Sequence, residues 1–195
     1  MRHSSIFAAA ALFALSAPAL AQAPAGAPPA ARPPGLLLTS SGFTDGGILP
    51  DKFSQASPSA VTPPLSWTNV PAGTASYVLI LHDADTAPRK AVADIHHWIA
   101  FNIPGTATSL PEGVPTNPQL PDGTIQPNNF ARKPGYLPPA APPQTYHHYV
   151  FELYALDTKL SLDANAARAD IVAAMEGHVL GKAALVARFH LPATP

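Results

Sequence analysis

Two pairs of adjacent histidines carry most of the chemistry this sequence can offer. His96 and His97 stand in "DIHHWIAFNIP" (94–104), and His147 and His148 in "TYHHYVFELYALD" (145–157). Four of the eight histidines thus sit where polar sequence enters an apolar, aromatic run. A third apolar run, "YVLILHDAD" (77–85), ends on Asp83 and Asp85. Imidazoles beside carboxylates admit three readings. A carboxylate favours the charged form of a neighbouring imidazole, so the histidines, with Tyr149, can donate hydrogen bonds to an oxyanion. Two histidines and one or two aspartates can instead hold a metal ion. In the third reading the rings are structural and only satisfy backbone groups.

Spacing weighs against the metal. Adjacent residues of a strand point to opposite faces, so neither pair can chelate one ion with both rings. The chain has no H-x-H on one strand and no His-Glu-x-x-His helix. Each pair is expected to spend one ring on a pocket and the other on the core or the surface. No serine lies in a nucleophile-elbow pattern, and no paired glutamates suggest glycoside chemistry. The expectation is a binding protein with no catalytic residue, no metal and no cofactor. A metal-dependent hydrolase ranks last.

The strands must bring these groups together. Tyr77–Asp83, His97–Ile103, His148–Leu156 and Ala184–His190 are short, β-branched or aromatic, and bounded by Pro, Gly, Asp or Asn. Weaker strand signals lie near 36–40 and 65–68. If the first strand runs antiparallel to the next two, Asp83, Asp85, His97 and His147 meet at one rim. Alternation places His147, Tyr149, Phe151 and Leu153 in one column. His97, Ile99 and Phe101 form a second, and Leu79, Leu81, Asp83 and Asp85 a third. A shallow pocket with an apolar floor follows if all three columns share a side. One helix is predicted late in the chain, with Asp163 as N-cap and Gly177 just past its end. Residues 102–146 are proline-rich and lack regular pattern, as functional loops do. The expected architecture is mainly β and antiparallel.

The first residues read differently. "MRHSSIFAAAALFALSAPALAQ" has a short basic start, an apolar run from Ile6 to Leu15 and a small-residue site at 19–21. That is a signal peptide pattern with cleavage after Ala21, placing the protein in the periplasm or outside the cell. Residues 22–35 are almost wholly Ala, Pro and Gly and read as a linker, leaving 36–195 as one domain. No second long apolar span follows, so the mature form is not expected to span a membrane. Net charge is −1 with 12% charged residues. That excludes nucleic-acid binding by phosphate neutralisation. The chain has no cysteine, which decides little about compartment in a domain of this size.

At these residues the chain resembles the phosphatidylethanolamine-binding proteins, in their bacterial Raf-kinase-inhibitor-like branch. "TPPLSWTNVPAGTASYVLILHDADTAP" is similar to the family's S-P-P-L-x-W, P-x-G-T and D-P-D-A-P segments. "HHWIAFNIP" is similar to H-W-x-x-x-N-I-P, and "GYLPPAAPPQTYHHYVFELYALD" to G-Y-x-G-P-x-P-P … H-R-Y-x-F-x-x-Y-A-L-D. "GHVLGKAALVARF" resembles its C-terminal segment. The resemblance implies an antiparallel β-sandwich with a short C-terminal helical segment. It also implies a small pocket for an anion or phosphorylated head group, built from Asp83, Asp85, His97, Pro143, His147 and Tyr149. Relatives that regulate kinases or proteases imply an alternative role as a protein-interaction or inhibitor module. Ala84 and Thr86 depart from the D-P-D-A-P pattern, and His148 replaces an arginine.

Overall fold

The structure, a computed structural model, describes residues 34–193 except Ala91. The expected signal peptide and nearly all of the expected linker lie outside the described residues. Among the described residues no helix is long and apolar enough to cross a membrane.

Among the described residues, eight strands form two sheets. β1 (Leu37–Thr39), β3 (Leu65–Thr68) and β6 (Ser109–Leu110) make a small antiparallel sheet in the order β1-β3-β6. The other five are β2 (Gly47–Ile48), β4 (Ser76–Asp83), β5 (Ile95–Pro104), β7 (His147–Leu156) and β8 (Val179–Phe189), in the order β2-β8-β7-β4-β5. β4, β5, β7 and β8 pair antiparallel, but β2 runs parallel to β8. The fold is therefore mainly β with one mixed sheet, which corrects the wholly antiparallel expectation. The cause is local. Gly46, at φ +70, turns the chain so that its N–H bonds Val186 O at 2.8 Å, and Leu49 N–H bonds Arg188 O at 2.9 Å. Two residues of strand are too few to leave an alternation in the sequence, so neither β2 nor β6 was foreseen.

β4 is flanked by β5 and β7, and both of its faces are covered. That is why "YVLIL" is an unbroken apolar run rather than an alternating one. One face contributes Leu79 and Leu81 to a large core with Leu38 and Trp67 of the small sheet, Trp98, Phe151 and Leu153. The opposite face contributes Val78 and Ile80 to a second core with Ile99, Phe101 and two helical residues, Ile171 and Met175. That helix, α1 (Arg168–Met175), starts later than expected. Asp163 instead closes a turn, accepting Asn165 N–H at 2.8 Å, while Asp170 accepts Ala167 N–H at 3.0 Å. Gly177, at φ +82, ends the helix where the sequence placed it.

The proline-rich stretch after β6 is held by fixed bonds. Tyr136 Oη–H donates to Phe53 O at 2.6 Å, and Gln126 Nε2 donates to Pro115 O at 2.7 Å and Asn117 O at 2.8 Å. Phe101 and Ile125 exchange backbone bonds at 2.9 Å, so the stretch also covers the free edge of β5.

Candidate functional site

β4 pairs with β7 in strict register: Leu81 faces Phe151 and Asp83 faces Tyr149. Alternation then turns Leu81, Asp83, His147, Tyr149 and Phe151 to one side, as the sequence implied. β5 behaves otherwise. Leu81 pairs with Trp98, but His82 pairs with His96. His97 is thus an extra residue without a partner on β4, a β-bulge that slips the alternation by one. Beyond it, Ile99 and Phe101 belong to the second core, on the opposite face from Leu81. The expected His97–Ile99–Phe101 column therefore does not floor the pocket. The bulge alone brings the His97 ring round to Asp83 and Tyr149.

The result is a cavity of about 310 Å³ whose wall includes Asp83, His97, His147 and Tyr149. Asp83 is 3% exposed. Its Oδ2 accepts from His147 Nδ1 at 2.7 Å, and its Oδ1 from Asp85 N–H at 3.0 Å. The His97 and Tyr149 rings meet edge to face at 5.2 Å between centroids. His97 is clamped by one loop residue: its Nδ1 donates to Leu137 O at 2.9 Å, and its carbonyl accepts Leu137 N–H at 2.8 Å. Tyr149 Oη accepts Ala140 N–H at 3.2 Å. Burial pushes the Tyr149 phenol far above its ordinary range, and the neighbouring Asp83 charge adds to this. The phenol stays protonated and faces that carboxylate. Tyr149 thus lines the cavity beside Asp83 and accepts from the loop.

Two residues fall elsewhere. Asp85 does not line the cavity. It is exposed and accepts both the His148 N–H, at 2.5 Å, and His148 Nδ1, at 2.9 Å. Burial opposes ionisation of Asp85, but these bonds and the His148 and His147 charges outweigh it and hold its carboxyl low. Pro143 is exposed and outside the lining, and Pro142 takes that place. Each histidine pair divides as expected. His147 and His97 turn to the cavity, His148 to Asp85, and His96 to Asn128 O at 3.1 Å. Sequence reasoning missed Gln55, Thr86, Leu137 and Ala140 in the wall. None lies in a strand pattern, and Gln55 arrives from before β3. Among the described residues, no three His, Asp, Glu or Cys side chains converge to hold a metal ion.

Burial, the largest effect, pulls the imidazoles of His97 and His96 below the ordinary 6.5. The folded chain then refuses protons that the unfolded chain accepts. The sign follows. Above about pH 6.5 both states are neutral here and nothing is lost. As pH falls through 6.5 toward the lower folded values, stability declines. Asp85, Asp94 and Glu152, all held low, lose their contribution only at more acid pH, beginning near 4. Urea unfolding at pH 7.5, 6.0 and 5.0 is expected to show a loss already between 7.5 and 5.0, reduced in His97→Gln. A flat response across that range contradicts it.

This fold agrees with what the chain is similar to. Residues 39–190 match the family described as phosphatidylethanolamine-binding protein, and the chain belongs to that family. It is 44% identical over 149 residues to a UPF0098 protein of Methanothermobacter thermautotrophicus, covering 76% of this chain and 95% of that one. The UPF0098 protein YbhB of Escherichia coli is 34% identical over 131 residues, 66% of this chain and 81% of that one. Among solved structures, a putative phosphatidylethanolamine-binding protein homolog of Chlamydia trachomatis superposes with a TM-score of 0.70. It is 34% identical and covers 80% of this chain and 97% of its own. Escherichia coli YbcL, described as a member of the mammalian PEBP family, gives 0.71 at 26% identity, covering 81% and 99%.

Proposed function

We propose that this chain is an exported binding module that captures a small oxyanion or phosphorylated head group and does not turn it over. One observation carries the reading. Two histidines from different strands line one cavity with each Nδ1 already bonded to protein, and a buried carboxylate, Asp83, backs one of them. Asp83 Oδ2 holds His147 Nδ1 at 2.7 Å, which fixes the ring so that its other edge is left for a ligand. A lone carboxylate in the wall would repel the same anion, so the Asp83–His147 pair is the working unit. No group in the wall is placed as a nucleophile activated by a base. The family name supports a phosphorylated ligand. The two sheets share the larger core, which supports reading the fold as a sandwich. Export rests on the sequence of residues 1–21.

The test begins from protein recovered from periplasm or medium, where the N-terminus is expected at Gln22. Calorimetric titration with phosphorylethanolamine at pH 6.0 is expected to show one site. His147→Ala is expected to weaken it at least tenfold, about 1.4 kcal/mol. Absence of heat with the unaltered protein, or unchanged affinity in the variant, refutes the reading.

A further inference from the structure

Resting on the binding reading above, the hydrogen-bond inventory of the wall narrows the ligand further. A carbonyl oxygen can only accept, so the bond between His97 and Leu137 O fixes the hydrogen on Nδ1. The neutral ring then offers a lone pair at Nε2. That atom has no protein partner among the described residues, although His97 is 5% exposed and lines the cavity. Most other donors are spent. Thr86 Oγ1–H donates to Asp83 O at 3.1 Å, and Ala140 N–H to Tyr149 Oη. Gln55 Nε2 donates to Pro138 O at 3.1 Å and keeps one hydrogen, on an exposed side chain. Among the residues whose side chains are described, which leaves out Arg89, no lysine or arginine lines the cavity.

We propose that His97 reads the ligand as a hydrogen-bond acceptor, so that the cavity selects oxyanions carrying an O–H, such as inorganic phosphate or a phosphate monoester, over sulfate and phosphodiesters. His147 faces the same cavity, and His97 checks for the ligand's own hydrogen. An oxygen without a hydrogen would set its lone pair against that of Nε2, with Asp83 close by. An O–H turns the same contact into a hydrogen bond, and leaving such a buried acceptor unmet is what gives polar sites their discrimination.

The charged groups around both rings agree. His97 is faced by Asp83 from β4, by His96 on its own strand and by His82. Burial outweighs the Asp83 attraction and pulls His97 below the ordinary 6.5. His147 has Asp83 in contact, with Asp85, His148 and Tyr149 around it. A phosphate monoester loses its last O–H at about pH 6, whereas inorganic phosphate still carries one at pH 8.0. Monoester affinity should therefore fall as pH rises from 6.0 to 8.0.

Calorimetry on the unaltered protein at pH 6.0, in a non-phosphate buffer, tests this with inorganic phosphate, sulfate and dimethyl phosphate. Phosphate is expected to bind at least tenfold more tightly than either other probe. Sulfate or dimethyl phosphate binding as tightly as phosphate overturns the selection by His97 and leaves the anion-binding reading standing. No binding by any of the three overturns both.

Discussion

Asp83→Ala is expected to lower phosphate affinity at least a hundredfold and to cost about 3 kcal/mol of folding stability, as losing one partner of a buried pair does. Three groups lose their partner in that variant. His147 Nδ1 and Asp85 N–H lose an acceptor each, and the Tyr149 phenol loses the carboxylate it faces. The His147 ring is then free to rotate. Asp83→Asn separates the two losses. It has the same shape and keeps an acceptor oxygen, so folding should fall by only about 1 kcal/mol. It carries no charge, so affinity at pH 6.0 should still drop about tenfold. Denaturant unfolding and calorimetry on the same samples read both quantities. If Asp83→Ala bound phosphate like the parent, the Asp83–His147 pair would be structural only.

The legibility of this site in the sequence varied strand by strand. β4 and β7 kept regular alternation, so the common face of Asp83, His147 and Tyr149 followed from counting by two. β5 did not. Nothing in "DIHHWIAFNIP" marks His97 as the extra residue, because a bulge is defined by the partner strand and β4 lies in another part of the chain. Counting by two grouped His97 with Ile99 and Phe101, and the bulge set them on opposite sides. His97 entered the candidate set by being near a strand end and by resemblance, and the geometry then supplied a different reason for its place. The loop residues were beyond reach for another cause. Leu137, Ala140 and Pro142 contribute backbone groups and surface, which any residue type offers, so no side-chain pattern singles them out. Asp85 shows the reverse failure. Its type and spacing suited the cavity, but beyond the end of β4 it turns to His148. His148 stands where the resembled family has arginine, so this pairing ties the loop after β4 to the start of β7 with two titratable groups.

The loop can be loosened without touching any cavity residue. Trp98, next to the bulge, is fully buried, and its Nε1–H donates to Gln126 Oε1 at 2.7 Å. Gln126 in turn holds two carbonyls of the proline-rich stretch. The Trp98 ring also packs edge to face on Tyr136, at 5.8 Å, and Tyr136 precedes the Leu137 that clamps His97. Trp98→Ala is expected to destabilise the fold by about 3–5 kcal/mol, through the cavity it leaves in the large core. Trp98→Phe keeps most of the packing but strips the donor from Gln126, at a cost of about 1–3 kcal/mol. The two losses differ in what they do to binding. In Trp98→Phe the sheet register is intact, so Asp83 and His147 stay paired. The Leu137 clamp alone slackens, and phosphate affinity should fall about threefold to tenfold. Selection of phosphate over sulfate should narrow with it, since it depends on the orientation of His97. Denaturant unfolding of both variants and titration of Trp98→Phe with the two anions measure these effects. Unchanged phosphate-over-sulfate selection in a destabilised Trp98→Phe would show that His97 keeps its orientation without the loop.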